Sequence, residues 1–412
     1  MERVKGTRDW YPEDKAKQNY IFNVWTSVAK SFGYKEVEGP ILESEELYKQ
    51  SGEEIPEQTY QLTDKSGRKL VLRPELTPTI ARMIQQKKEL KKPIKWFSIP
   101  RCFRYESPQS GRLREFYQFN LDCLGFSNMK ADAEIIATAI EIMKKFNLSK
   151  KDFYIRISNR KIISSFLKNI NLSYQQEVSR LIDKKDKLSL NDFKSALKEC
   201  NVNELQIKQI LKFLDISSVD EIKKYVNDEQ GSKGVEELSS LFYYLKKYNL
   251  SSYCKIDLSI MRGFDYYTST IFEVFDSSKE FRAIAGGGRY DVAGIPGIGY
   301  GMGDVVLELF LAKKKKLKQQ EEKSKVYIIT LDESSLKASY EIASKLREFT
   351  TVEADIMDKN LTKQLTYANE IGSEYSIIIG KDELNKKKFK LKEMKTGKEQ
   401  LLTEEQIIKK FV

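Results

Sequence analysis

Between residues 104 and 122 the chain carries Arg104, Glu106, Arg112, Arg114, Gln118, Asn120 and Asp122. Fixed positive charges beside carboxylates and amides suit a small, polar, anionic ligand such as a phosphate. A second cluster, Met261-Arg262-Gly263-Phe264-Asp265-Tyr266-Tyr267-Thr268, sets one arginine beside two tyrosines that can donate hydrogen bonds. A third, Ala285-Gly286-Gly287-Gly288-Arg289-Tyr290-Asp291, lets backbone approach a ligand closely but lacks the Gly-Lys-Ser/Thr ending of a P-loop. Each has a plainer reading: the outer face of an antiparallel sheet, an aromatic hairpin on the core, a common glycine turn. On periodicity alone the two readings of the first cluster stand level. The chain has no histidine, which excludes Ser-His-Asp and Cys-His catalysis. Cys102, Cys123, Cys200 and Cys254 stand far apart, so neither a zinc knuckle nor a disulfide framework is indicated.

These clusters need elements to position them. Residues 15–31 read as an amphipathic helix, with Ile21, Val24, Trp25 and Val28 on one stripe. A short strand from Glu36 to Leu42 contains Pro40 and belongs at an edge or interface. Residues 96–106 and 116–124 read as two strands around a polar loop, Ser107 to Glu115. On the second, Tyr117, Phe119, Leu121 and Cys123 form an apolar face, and Gln118, Asn120 and Asp122 line the other. On the first, Arg104 and Glu106 share a face. Residues 131–146 return to helical spacing, and 165–250 read as a helical insertion. Strand signals resume at 254–260, 269–276, 281–285 and 297–303, and a helix begins at Asp304, whose carboxylate suits an N-cap. Residues 313–325 are a charge-rich linker or solvated helix end, and 326–412 alternate strand and helix as a small α/β domain.

The 412 residues suit two or three domains. A net charge of +11 and a pI near 9.1 fit a polyanionic partner. No apolar run reaches the length of a membrane span, and the charged start Met1-Glu2-Arg3-Val4-Lys5-Gly6 lacks the apolar stretch of a signal peptide. A cytoplasmic location is expected.

KGTRDWYPED, GYKEVEGPILE, LRPELTPTIAR, FRYESPQSGRLREFYQFNLDCLG, RGFDYYTSTIFEVF and AGGGRYD occur in this order. Together they resemble the histidyl-tRNA synthetases, a family of class II aminoacyl-tRNA synthetases, over nearly the whole chain. The block from Arg104 to Asp122 carries the class, and RGFDYYT separates the histidine family from the threonine, proline and glycine families of like architecture.

The resemblance implies an α+β fold. An antiparallel-sheet catalytic domain would occupy 1–164 and 251–318, with the helical insertion at 165–250 and an α/β anticodon-binding domain at 326–412. It implies ligation of L-histidine to histidine tRNA through an adenylate, with ATP as substrate, Mg²⁺ as cofactor and a homodimer built on the first helix and the Pro40 strand. Arg104 and Arg262 would be the catalytic arginines, with Arg104, Glu106 and Arg112 on ATP. Glu75, Thr77 and Gln118 would hold the α-amino group. Asp122 and Tyr267, with Tyr266 beside them, would face the imidazole. One departure stands out. Many class II enzymes place an arginine on adenine from a Gly-x-Glu-Arg segment entering a helix, whereas this chain reads Gly301-Met302-Gly303-Asp304-Val305-Val306. Another arginine, such as Arg289, would then serve ATP. The alternative is a catalytically inactive paralogue, a histidine-sensing regulatory subunit like that of ATP phosphoribosyltransferase, which lacks an anticodon domain.

Overall fold

The computed structural model describes residues 1–49, 58–87, 89–261, 267–292, 294–318, 325–356 and 358–412. It divides into two compact units, Met1–Gln319 and Gln320–Val412. No helix among the described residues is long and apolar enough to cross a membrane.

Helix α1 (Pro12–Ser31) starts three residues before the apolar stripe suggests, because a proline in the first turn loses no intrahelical bond. The strand expected through Pro40 is split into β1 (Lys35–Glu36) and β2 (Leu42–Ser44). Proline offers no N–H to a ladder. Buried Arg73 holds the bend, donating from Nη1 to Gly39 O at 2.7 Å and from Nε to Arg101 O at 2.9 Å. Helix α2 (Glu45–Tyr48), β3 (Tyr60–Thr63) and β4 (Lys69–Leu72) follow, and the three strands pair in the order β2-β4-β3. Next come α3 (Thr77–Gln86), β5 (Ile94–Ser98), β6 (Arg101–Phe103), β7 (Glu115–Leu124), α4 (Met129–Lys145) and β8 (Phe153–Asn159). Pro100 breaks the expected strand 96–106 between β5 and β6.

Six helices follow: α5 (Arg160–Asn169), α6 (Gln175–Asp183), α7 (Leu190–Glu199), α8 (Glu204–Leu214), α9 (Val219–Ile222) and α10 (Glu229–Lys247). Asn159, Ser189, Asn203, Ser218 and Asp228 cap five of them, each side chain accepting a free N–H of the first turn. The unit closes with β9 (Cys254–Ile256), β10 (Thr270–Asp276), β11 (Ala285–Val292), β12 (Ile295–Gly303) and α11 (Asp304–Lys313). The triple glycine, expected as a turn, lies inside β11, because β10 and β12 pair along both its edges.

The main sheet runs β1-β5-β7-β12-β11-β10-β8-β9, with β6 paired to β7 off this path. Its pairs are antiparallel except β1–β5 and β8–β9. One face is apolar and covered by α1, α4 and α10. Trp25 of α1 stacks on Phe119 of β7 with centroids 5.5 Å apart, and Phe119, Leu121, Phe272, Val274, Ile298 and Met302 are buried with it. Each large apolar side chain removed from water contributes roughly 1.5–3 kcal/mol. The helical segment joins the same core, where Phe166 and Phe213 stack at 3.8 Å.

The second unit has its own core. It contains β13 (Val326–Thr330), α12 (Leu336–Leu346), β14 (Val352–Ala354), α13 (Leu361–Glu370), β15 (Tyr375–Ile379), α14 (Lys381–Lys386), β16 (Phe389–Glu393), β17 (Glu399–Leu402) and α15 (Glu404–Phe411). The sheet order is β14-β13-β15-β16-β17, and Thr403 and Gln406 close the capping box that opens α15.

One ion pair crosses the covered face of the main sheet. Arg289 of β11 donates from Nε to Asp132 Oδ1 of α4 at 3.0 Å, while Nη1 and Nη2 reach Phe126 O at 3.1 Å and Asn128 O at 2.7 Å. Both side chains are buried. Asp132→Ala leaves an uncompensated guanidinium and should lower unfolding stability by about 3–5 kcal/mol in denaturant titration. Asp132→Leu with Arg289→Met should recover most of it. A loss below about 1 kcal/mol for the single variant would contradict this role for the pair.

Candidate functional site

The uncovered face of the main sheet can be read rung by rung. Cross-strand partners share a face. One rung runs Trp96, Asp122, Gly299, Gly288, Ile271, Ser158, and the next runs Ser98, Asn120, Gly301, Gly286, Glu273, Arg156. The middle of this face therefore has no side chains. A Cβ at Gly301 would stand 2.7 Å from Gln118 Nε2, and one at Gly299 would collide with Asp122 Oδ1. The side-chain amides and the carboxylate lean over the bare backbone.

A cavity of ≈ 560 Å³ opens on this face, bounded by Arg104, Glu106, Arg112, Phe116, Gln118 and Arg282 at one end and by Arg156, Asp183 and Asp186 at the other. Arg104 is held by its Nε, which donates to Pro74 O at 3.0 Å, and its guanidinium lies 5.2 Å from the Phe116 ring centroid. The same segment presents Glu75, followed by Thr77 as the first residue of α3. Tyr48 fixes it by donating its hydroxyl to Glu75 O at 2.9 Å. Burial pushes the Glu75 carboxyl up, and the nearby Arg104 charge pulls it back. Arg112 reaches Glu106 at 3.1 Å.

Asp122 and Asn120 are buried, and Gln118 donates from Nε2 to Asn120 Oδ1 at 2.6 Å. Tyr290 donates its hydroxyl to Asp122 Oδ1. Burial pushes the Asp122 carboxyl up to about 6, and the Tyr290 hydrogen bond acts against this. Tyr267 lies over Gly288, where a Cβ would stand 2.9 Å from its Cδ1. Gly288 and Asp122 flank Gly299 on one rung, two strand spacings or about 10 Å apart. Over Gly299 stand the Asp122 carboxylate and the Tyr290 hydroxyl, so polar groups converge there.

Several expectations change. Arg104 and Glu106 do not share a strand face. β6 ends at Phe103, and the backbone turns so tightly that Glu106 N–H donates to Arg104 O at 2.9 Å. Arg289, expected on ATP, does not face the cavity. Strand alternation sends it to the covered face, where Asp132 and two carbonyls occupy its guanidinium. Tyr290, one residue on, points to the open face, and it is the phenol that touches Asp122. It lay in the quoted AGGGRYD, but assigning it needed a strand reading of the glycines. Asp304 is the first helical residue after the cap Gly303, and its carboxylate accepts Tyr117 N–H at 3.0 Å and pairs with Arg8 at 2.5 Å. Arg262 and Tyr266 lie outside the described residues.

The family model for histidyl-tRNA synthetase matches residues 6–299, and the model for the anticodon-binding domain matches 325–412. A histidine–tRNA ligase of Thermoplasma volcanium is 38% identical over 98% of this chain and 96% of its own length. One from Leptospira biflexa is 38% identical over 95% of this chain and 93% of its own. The crystal structure of a histidyl-tRNA synthetase from a Nostoc species covers 100% of this chain and 99% of its own, with a TM-score of 0.84 at 25% identity. Sheet, bare floor and arginine-lined cavity make up the catalytic fold of a class II aminoacyl-tRNA synthetase. A regulatory subunit without an anticodon domain is not favoured, since that domain's model matches the last 88 residues, 325–412. The chain belongs to the histidyl-tRNA synthetase family.

The raised pKa of Asp122 has a consequence for stability. The folded protein holds this proton more tightly than the unfolded chain, so the group's contribution is full below about pH 4 and is lost as pH rises through about 6. Asp122→Asn should therefore stabilise the protein without substrate at pH 7.5, by at most about 3 kcal/mol, and the gain should shrink towards pH 4.5. Thermal unfolding across this range checks it, and a pH-independent difference would contradict it.

Proposed function

We propose that this chain activates L-histidine with ATP to give histidyl-adenylate and pyrophosphate, then passes the histidyl group to histidine tRNA. The observation that carries this reading is Asp122, held by Tyr290 over a glycine floor, on the same sheet face as a cavity lined by Arg104 and Arg112. Neutral imidazole has one N–H donor and one acceptor nitrogen. Asp122 accepts the N–H, and the Tyr267 hydroxyl donates to the other nitrogen. Glu75, Thr77 and Gln118 surround the α-ammonium group.

In activation the histidine carboxylate attacks the α-phosphorus of ATP, and the bond to pyrophosphate breaks. Two anions must meet, so charge neutralisation and positioning are the main demands, and no side-chain nucleophile is needed. Arg104 is placed for this, oriented by Pro74 O and the Phe116 ring. Mg²⁺ favours oxygen ligands, and the Glu273 carboxylate on the cavity wall would help to hold it beside ATP. It would supply further neutralisation of the phosphate charge.

The second unit would bind the anticodon. The chain would act as a cytoplasmic homodimer, and exposed Ile41 and Leu42 beside Pro40 suit an interface there.

ATP–pyrophosphate exchange with each common amino acid tests the reading. Histidine alone should support it, and exchange with another amino acid but not histidine would overturn it. Asp122 must be ionised to accept, so kcat/KM for histidine should fall as pH drops through about 6. The substrate imidazole titrates nearby, and a variant separates the two. Tyr290→Phe removes the bond that lowers the Asp122 pKa, so the acidic limb should move up by roughly one unit. An unmoved limb would contradict the role given to Asp122.

A further inference from the structure

The segment entering α11 brings no arginine to the cavity. Its charged residue, Asp304, is taken by Arg8 and the Tyr117 N–H. Arg289, the substitute suggested by sequence, is locked on the covered face. The cavity nevertheless receives another cation. Arg282 lies in the connection between β10 and β11 and lines the cavity with Arg104, Glu106, Arg112 and Phe116. Its place is fixed on both sides. Phe281 packs edge-on against Phe310 of α11 with centroids 6.1 Å apart, and Ile284 N–H donates to Val274 O at 2.8 Å.

Arg282 differs from the other arginines around the cavity. Arg104 is bound to Pro74 O, Arg112 to Glu106, and Arg156 to Asp186 and Asp257. Arg282 makes no hydrogen bond or ion pair among the described residues. Burial and the Arg112 charge hold its pKa below the usual arginine range, with Glu106 acting against them. Arg112 and Arg282 thus stand close enough to act on one another at one end of the cavity, with Glu106 acting on both. A phosphate chain can be gripped by two such guanidiniums at once.

We propose that Arg282 supplies the cavity with a cation that the segment entering α11 lacks, and grips the β,γ end of the ATP triphosphate together with Arg112. This rests on the reading of the cavity as an ATP site. Arg282 positions the pyrophosphate leaving group from the β10–β11 connection rather than from α11. An arginine that acted on the base would affect ATP and AMP alike, whereas one on the β- and γ-phosphates affects ATP only.

The test compares ATP and AMP binding by calorimetry in the full chain and in Arg282→Ala and Arg282→Lys. Arg282→Ala should weaken ATP by roughly tenfold or more, the size of lost charge-assisted hydrogen bonds, and AMP by less than about twofold. Arg282→Lys should recover part of the loss. KM for ATP in the exchange reaction should rise with Arg282→Ala, and the unfolding midpoint should not move. Equal weakening of ATP and AMP, or none, would overturn the assignment. A parent chain that bound no ATP would overturn the reading of the cavity and this inference with it.

Discussion

Successive side chains on a β-strand point to opposite faces, and the central strands of the main sheet use that alternation to separate stability from chemistry. Phe119, Leu121, Phe272, Ile298 and Met302 go one way, into the core beneath α1 and α4. Gln118, Asn120, Asp122 and Glu273 go the other way, around glycines at 286, 288, 299 and 301. Burial on the first face holds the backbone of the second still. A rigid floor without side chains lets a small ligand lie against backbone, with polar groups reaching it only from the sides. A slip of one residue in any central strand would put aromatic rings in the cavity and carboxylates in the core.

That geometry also suits the proposed activation, which needs no histidine side chain. The reaction joins two anions, and the open face collects arginines in an enclosed space where their charge is poorly screened. Selectivity needs a buried acceptor, and burial is what raises the Asp122 pKa to about 6. Tyr290 keeps the carboxylate ionised near neutral pH by donating to it. On the proposed reading, this Asp beside a phenol would read the imidazole, and its own charge state is set by its surroundings.

Much of this was legible in local pattern. The alternation from Tyr117 to Cys123 separated core from ligand face, and the helical spacing of 165–250 showed a helical stretch. What was missed depended on distant pairing. The triple glycine looks like a turn until β10 and β12 are known to flank it. Once it is a strand, parity exchanges Arg289 for Tyr290 as the residue on the site face. The partner of Asp304 is Arg8, 296 residues away, which no local rule can supply. Arg282 carries no motif, and its importance appears only when the cavity shows which guanidiniums already have partners. The strands read through Pro40 and Pro100 are each broken at the proline, which offers no N–H to a ladder.

The account stands or falls on the claim that Asp122 and its phenols read the ring nitrogens of histidine over the glycine floor. The most direct measurement is calorimetric binding of L-histidine and of an isosteric analogue whose five-membered ring lacks both nitrogens, at pH 7.5. A site built to pair those nitrogens leaves buried polar groups unmatched with the analogue, so its affinity should be lower by roughly 10⁴-fold, beyond detection in practice. Comparable binding of the two would mean that the pocket recognises shape alone, and would contradict the role assigned to Asp122.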